Sequence, residues 1–168
     1  MKSNIFFGIS LLLISLFLIS CEKDNPEGAI SCKIVNHTNC KNFKSSIKED
    51  DYDSNISCIS YSYDSQNKKL TLKHINAGFN CCPDSLYCSI VLSSDLIVIK
   101  EFEKKALCNC NCLYDLDIEI TGIELKKYII KIDEPYCGNQ PKLIFEADLA
   151  SNVTGEFCVN RDKYPWSM

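Results

Sequence analysis

Residues Cys108–Ile120 read Cys-Asn-Cys-Asn-Cys-Leu-Tyr-Asp-Leu-Asp-Ile-Glu-Ile, and this alternation indicates the fold class. Every even-numbered position carries Cys, Tyr, Leu or Ile, and every odd-numbered one except Leu113 carries Asn, Asp or Glu. Successive side chains of a β-strand point to opposite faces, so this period of two predicts an extended strand. One face of the strand presents three thiols and four apolar side chains, and three core-facing thiols require partners elsewhere.

Similar segments recur at short intervals along the chain, with polar turns between them. No segment of convincing length has the 3.6-residue period of a helix. About eight short strands separated by turns predict an all-β fold, an antiparallel β-sandwich of the immunoglobulin-like type that is stapled by disulfides. Besides Cys108–Ile120, the predicted strands are Cys32–Val35, Ser57–Tyr63, Lys69–Ile75, Leu86–Leu92, Leu96–Phe102, Tyr128–Ile132, Leu143–Leu149 and Glu156–Val159.

The composition limits the classes of function open to the chain. Its 168 residues suffice for one domain with a buried core and a targeting segment. The net charge is −4 and no block of lysine and arginine occurs, which argues against nucleic-acid binding and against a polybasic membrane patch. Twelve cysteines indicate metal binding in a reducing compartment and disulfides in an oxidising one, so the compartment decides how they are interpreted.

The N-terminus indicates export. A short positive segment containing Lys2 precedes an uncharged apolar run over residues 5–19, and Ser20 then precedes Cys21. This arrangement resembles a bacterial lipoprotein signal peptide, residues 1–20, with a lipobox whose cysteine, Cys21, is acylated and becomes the mature N-terminus. The alternative is an uncleaved anchor, but the run is short for a spanning helix of about 20 residues. We therefore expect a protein held on the membrane by two or more acyl chains.

The residues after Cys21 indicate a location and a domain plan. Glu22 argues weakly against retention at the inner membrane, and the acidic, lysine-containing segment around it resembles the surface-export signals of Bacteroidetes lipoproteins. We expect an outer-membrane lipoprotein, with exposure on the cell surface as the further option. The plan is a polar tether over residues 21–31, a single sandwich domain over 32–160 that is partly irregular over 32–55, and a polar tail over 161–168.

Two cysteine motifs carry a resemblance to a known group of proteins. The first is the double cysteine Cys81-Cys82 at the end of the segment Leu70–Pro83, and the second is the C-x-C-x-C-x-Y strand that begins at Cys108. Together they resemble an uncharacterised group of small Bacteroidetes lipoproteins, over roughly Cys58 to Ile132. The resemblance implies a fold and a location on the outer membrane, and it implies no activity.

The spacing of Cys108, Cys110 and Cys112 restricts their chemistry. Along a strand neighbouring members lie ~6.7 Å apart with parallel side chains, so they neither pair with each other nor converge on one zinc ion. In a strand each therefore takes a different partner, whereas in a loop they could chelate. The nearest candidates for partners are Cys81, Cys82 and Cys88, while the scattered cysteines expected to close peripheral loops are Cys32, Cys40, Cys58, Cys137 and Cys158. Eleven cysteines besides Cys21 is an odd number, so at least one is unpaired within the chain.

A metal site is the alternative interpretation of the same cysteines. A thiolate-rich site with a histidine suits copper(I) or zinc. Its candidate ligands are His74, Cys81, Cys82, Cys108, Cys110 and Cys112. The competing interpretation of His74 is a buried histidine with a hydrogen-bond partner beside a disulfide cluster, since the residue shares a predicted face with Leu70 and Leu72.

Catalysis finds little support in the sequence. A Cys/His nucleophile pair would need an activated, accessible thiol, and neither a C-x-x-C redox motif nor a G-x-S-x-G elbow occurs. Glu101 and Glu103 share a strand face, which charged edge residues explain equally well. We expect no enzyme, no cofactor and no nucleic-acid partner. The predicted function is a lipid-anchored cell-envelope module that binds a protein or glycan partner or serves a structural role, and the alternative is a copper- or zinc-binding outer-membrane lipoprotein.

Overall fold

A computed structural model describes residues 29–41, 52–162 and 164–165. The predicted signal peptide, Cys21 and most of the predicted tether lie outside these residues. Among them nine β-strands and no helix occur, and consequently no described helix is long and apolar enough to cross a membrane. The strands are β1 Ser31–His37, β2 Ile56–Asp64, β3 Lys69–Asn80, β4 Leu86–Ser93, β5 Leu96–Glu103, β6 Asn111–Thr121, β7 Lys127–Asp133, β8 Ile144–Asp148 and β9 Thr154–Asn160.

The strands form two sheets that pack on a shared core, which confirms the all-β, disulfide-stapled sandwich. The five-stranded sheet has the order β1-β6-β3-β2-β9, and the four-stranded sheet has the order β4-β5-β7-β8. Every pairing within the sheets is antiparallel except that of β5 with β7. Between those two strands the chain crosses to the opposite sheet as β6 and returns, so β7 arrives in the same direction as β5.

The alternation in β6 is confirmed, but the strand begins later than the sequence predicts. Cys112, Tyr114 and the even-numbered residues that follow are at most 3% exposed, as a core-facing strand requires. Regular pairing begins at Asn111 rather than at Cys108. The cause is the side chain of Asn80, whose Nδ2 donates to the carbonyl of Cys110 at 2.9 Å and whose Oδ1 accepts from the amide of Cys108 at 3.1 Å. The carbonyl of Cys110 also accepts from the amide of Cys81 at 3.0 Å, so the Asn80 side chain shares this group with the backbone.

Five disulfides join ten of the cysteines, and the three cysteines of the C-x-C-x-C motif have three different partners. The pairs are Cys32–Cys88, Cys40–Cys112, Cys58–Cys158, Cys81–Cys110 and Cys82–Cys108. Two of the scattered cysteines do more than close peripheral loops. Cys32 of β1 links the five-stranded sheet to Cys88 of β4 in the other sheet, and Cys58 is fully buried where β2 meets β9. Within the described residues, Cys137 is the cysteine left as a thiol.

Candidate functional site

Six polar side chains meet inside the sandwich, at residues that are at most 8% exposed. We call them the buried polar cluster. Three lie on strands of the two sheets, one lies just after β7, and two lie beyond β9 near the C-terminus. The members are Ser57, His74, Glu101, Glu134, Arg161 and Tyr164. Buried polar groups on this scale are costly unless they are paired, so their contacts define what the cluster can do.

Strand parity places His74 opposite Glu101. On β3 the side chains of Leu70, Leu72 and His74 face the core, as the sequence predicts, and all three are fully buried. On β5 the residues Ile97, Ile99 and Glu101 share the inner face in the same way. Glu101 is therefore not a charged edge residue, and this expectation from the sequence is wrong. Glu101 follows Ile97 and Ile99 at intervals of two residues, and this spacing indicates that its side chain points inward.

Ser57, His74 and Glu101 form a chain of hydrogen bonds. His74 Nε2 lies 3.1 Å from Ser57 Oγ, and His74 Nδ1 lies 2.8 Å from Glu101 Oε1. This is the order of contacts in a serine–histidine–acid catalytic triad. Here both Ser57 and His74 are fully buried, and the serine hydroxyl also donates to the carbonyl of Ile75 at 3.3 Å. No substrate can reach the hydroxyl in this closed interior, so the contacts join β2, β3 and β5 rather than present a nucleophile.

The other half of the cluster comes from the segment predicted as a polar tail. Arg161 is 4% and Tyr164 is 2% exposed, so that prediction is wrong for these two residues. Arg161 Nη2 donates to Glu134 Oε2 at 2.6 Å, and the Tyr164 hydroxyl donates to Glu134 Oε1 at 2.9 Å. The same hydroxyl accepts from the amide of Gly78 at 2.7 Å. An ion pair and two hydrogen bonds therefore offset the cost of burying this end of the chain.

Leu113 is the sequence signal for this packing. It is the one apolar residue at an odd-numbered position of Cys108–Ile120. Its side chain therefore points to the opposite face of the strand from Tyr114 and the other even-numbered residues. It is nevertheless fully buried, because it packs with Cys137 and Tyr164 in a small second core. An apolar exception to a strict alternation indicates that another segment covers that side of the strand.

The charges of the cluster are two carboxylates, one guanidinium and one imidazole. Burial alone lowers the pKa of His74, but the neighbouring Glu101 carboxylate and its hydrogen bond, together with Glu134, more than offset this and raise the pKa. Burial raises the pKa of Glu101 despite the opposing effect of His74. With His74 protonated the four groups sum to zero, which is the arrangement a desolvated cluster favours. Glu101 Oε2 and Arg161 Nε find no hydrogen-bond partner among the described residues.

Cys137 is a buried thiol at the border of the cluster. Arg161 Nη1 donates to its sulfur at 2.9 Å. Burial raises the pKa of Cys137, with the nearby Glu134 carboxylate adding to the effect and Arg161 opposing it. A reactive cysteine needs a lowered pKa and access to solvent, and this one is 6% exposed. Cys137 is therefore placed as a packing residue and not as a nucleophile.

The residues predicted as metal ligands lie in two different kinds of environment. All of the candidate cysteines are disulfide-bonded, whereas His74 is bonded within the buried polar cluster. Among the described residues, one group of three metal-ligating side chains has its ligand atoms within 4.8 Å of one another, namely Cys58, Glu156 and Cys158. Its two sulfurs are bonded to each other. A thiolate site at any of these positions would require that disulfides first be reduced.

Comparisons with known proteins identify no relative. No protein-family model, no curated protein and no solved structure matches the chain. The resemblance to small Bacteroidetes lipoproteins therefore stays a prediction from the two cysteine motifs, and any function has to be argued from the residues themselves.

Proposed function

We propose that the chain is a lipid-anchored module of the cell envelope, a non-catalytic sandwich that binds a partner or serves a structural role at the outer membrane. The observation that carries this proposal is the disulfide framework. Ten cysteines are paired across chain separations of 26 to 100 residues. Such bridges form and persist in oxidising compartments, while cytosolic thiols are kept reduced.

The N-terminal sequence supports the anchor. Export through a lipoprotein signal peptide delivers the chain to an oxidising compartment and leaves Cys21 acylated. Nine residues separate Cys21 from Ser31, where β1 begins. An extended segment of that length spans about 30 Å, enough to hold the sandwich clear of the lipid headgroups.

The interior of the domain supports a binding or structural role over catalysis and over metal binding. The cysteines of the C-x-C-x-C motif are all used as staples, and Ser57 and His74 are closed off from solvent. Function then depends on the outer surfaces of the two sheets and on the loops, which are the parts a partner can contact.

The anchor is tested with the variant Cys21→Ala in cells that produce the full chain. We expect the wild type in the membrane fraction with an acylated N-terminus by mass spectrometry, and the variant without acyl chains. Cys137→Ala is the matched control and is expected to stay in the membrane fraction. A wild-type chain that reaches the membrane fraction without acyl chains on Cys21 would refute the lipid anchor.

The metal alternative is tested by the intact mass of the mature protein before and after thiol alkylation, alongside metal analysis. We expect five bridges and no stoichiometric metal. Three or more alkylatable thiols among Cys81, Cys82, Cys108, Cys110 and Cys112, together with stoichiometric copper or zinc, would instead establish a thiolate metal site.

A further inference from the structure

Exposed apolar side chains are concentrated on the outer face of the four-stranded sheet, where charged and polar side chains lie among them. This face consists of the side chains on β4, β5, β7 and β8 that point away from the core. Ten large apolar side chains are exposed among the described residues, and six of them lie on it: Tyr87, Val91, Leu96, Phe102, Ile129 and Ile144. Single exposed apolar residues are normal on a protein surface, whereas a concentration on one face marks an interaction site.

Strand register makes these side chains neighbours. Val91 lies directly opposite Val98, and Leu96 lies directly opposite Ile129. Because adjacent strands are about 4.8 Å apart, these four form one continuous patch. At the end of the same face Tyr87 and Phe102 stack with ring centroids 5.6 Å apart. The patch therefore crosses three strands, and the polar pair of Ser89 and Lys100 lies between it and the stacked rings of Tyr87 and Phe102.

The outer face of the five-stranded sheet provides the contrast. There Lys73 lies opposite both Ser60 and Asp117, and Thr71 lies opposite Glu119. That is the alternation of polar and charged residues expected for a solvated sheet face. The concentration of exposed apolar side chains is thus a property of one sheet and not of the molecule as a whole.

The outer face of the four-stranded sheet is wide enough for a protein interface. Four strands at ~4.8 Å spacing, the longest of them eight residues at ~3.3 Å each, cover roughly 19 Å by 26 Å. That projection is about 500 Å², and side-chain relief raises the accessible area toward the ~800 Å² that each partner buries in a standard interface. Sheets pack face to face about 10 Å apart, so a second flat sheet can cover the whole area.

The charged residues on the face indicate which kind of partner it binds. Lysines and acids are equal in number on it, namely Lys100, Lys127, Lys131, Asp133, Glu146 and Asp148. Lys127 and Glu146 pair with each other at 2.7 Å. Because its net charge is zero, the face has no net electrostatic attraction to an anionic lipid surface or a highly charged peptide. A second copy of the face has the same balance of positive and negative charges and is not repelled.

We propose that this face pairs with the same face of a second copy of the chain, sheet against sheet about a twofold axis. In such an isologous contact each apolar residue meets the patch of the partner, and the charged residues around it can exchange partners across the axis. The inference does not rest on the lipid anchor, because every residue that carries it belongs to the folded domain.

The test is photocrosslinking in intact cells that produce the full chain in two forms with different epitope tags. The photoreactive amino acid p-benzoylphenylalanine replaces Ile129, and in the matched control it replaces Val153, which is equally exposed but lies just before β9. We expect light-dependent adducts of twice the chain mass that contain both tags from position 129, and at least tenfold fewer from position 153.

A second substitution links the adduct to the face. With the crosslinker at position 129, Val91→Glu is expected to lower the adduct at least tenfold, while Val153→Glu leaves it unchanged. Unaltered mobility of both variants on non-reducing gels shows that the disulfides are intact. The adduct is also expected in the Cys21→Ala chain, which separates this inference from the lipid anchor. Adducts of monomer mass, adducts with another protein or with lipid only, or equal adducts from position 153 would overturn the proposal.

Discussion

His74 and Glu101 meet across the interior of the sandwich. The imidazole Nδ1 on β3 lies 2.8 Å from the carboxylate Oε1 on β5, and neither side chain has measurable exposure to solvent. The two strands belong to different sheets, so the contact joins the two layers through a polar bond within an otherwise apolar core. Replacing both members of such a buried pair by apolar residues changes the stability little. Removing one member costs much more stability, because the other is left buried and unpaired.

Removal of the carboxylate should therefore be costly. Glu101→Ala leaves His74 buried without its hydrogen-bonded acid, with only Glu134 Oε1 at 3.6 Å from its Nε2, and is expected to lower the free energy of unfolding by about 3 kcal/mol. Urea unfolding measures this loss under non-reducing conditions. Glu119→Ala is the matched control, since Glu119 pairs with Lys69 at 3.2 Å on the surface. The control should lose at most about 1 kcal/mol. Equal losses in the two variants would contradict a special role for the buried pair.

Stability should fall as the pH rises above neutrality. The pKa of His74 is raised in the folded state, so above the usual value of 6.5 the unfolded chain loses a proton that the folded chain keeps. The stabilising contribution is thus fully present below pH 6.5 and is lost as the pH rises through the folded-state pKa, with a slope of at most about 1.4 kcal/mol per pH unit. The raised pKa of Glu101 adds a loss of the same sign, which begins as the pH rises above its usual value of 4.5.

Urea unfolding at a series of pH values from 6 to 9 measures the slope. His74→Asn should reduce it, because the imidazole whose pKa folding raises is then absent. A slope that persists in His74→Asn would assign the pH dependence to other groups.

The sequence predicted the strands well because most of them have one face in the core. The alternation in Leu70–Leu72–His74 and in Tyr114–Leu116–Ile118 reflects which side chains are buried. It therefore predicted both the orientation of these strands and the fold class. The ends of strands were less predictable. β3 runs on to Asn80, past a register shift between His74 and Ala77 where Asn76 has a φ of 61°, and no periodicity survives such a shift.

The sequence did not predict which distant segments of the chain pair with each other. Strand geometry predicted three different partners for the C-x-C-x-C cysteines. It did not predict Cys40 as the partner of Cys112, because this pairing depends on where β1 ends in space. The ion pair of Arg161 with Glu134 joins two segments with no pattern in common, so a polar tail was the natural interpretation of the chain end. The parallel pairing of β5 with β7 likewise depends on β6 belonging to the opposite sheet.

Cys137 should resist alkylation in the folded protein. In a Cys21→Ala chain it is the remaining unpaired cysteine, and both its burial and its raised pKa oppose thiolate chemistry. We expect no adduct with iodoacetamide under native conditions and one adduct per chain in denaturant without reductant, both measured by intact mass. Rapid native labelling would show that the second core around Cys137 is open, and more than one adduct in denaturant would contradict the five bridges.

The bridge between β2 and β9 should contribute more stability than the one in the double-cysteine turn. Cys58–Cys158 closes a loop of 100 residues and Cys82–Cys108 one of 26. Replacing each pair by alanines should cost about 2–4 kcal/mol, and the chain-entropy relation makes the longer loop the costlier by about 1 kcal/mol. Urea unfolding of the two double variants tests the order. A greater loss in the shorter loop would show that native contacts around Cys82 outweigh chain entropy.

Gly78 should be required for the docking of the chain end. A Cβ at this position would lie 2.7 Å from Tyr164 Cζ and 2.7 Å from Pro165 Cβ, so Gly78→Ala must displace the segment that carries the tyrosine. Displacement breaks the bond that the Tyr164 hydroxyl donates to Glu134 and the bond that it accepts from the Gly78 amide, and it uncovers Leu113. We expect a loss of about 1–3 kcal/mol in urea unfolding and faster proteolysis near the C-terminus.

Tyr164→Phe separates the two causes of that loss. This variant keeps the ring over Leu113 but leaves the Gly78 amide without a hydrogen-bond partner and Glu134 Oε1 with only His74 Nε2 at 3.6 Å, which costs about 1–3 kcal/mol for buried groups. Because the ring stays docked, proteolysis near the C-terminus should be slower than in Gly78→Ala at a comparable loss of stability. If Gly78→Ala were neutral in both measurements, the chain end would not be seated against β3, and the buried polar cluster would have to be complete without Tyr164.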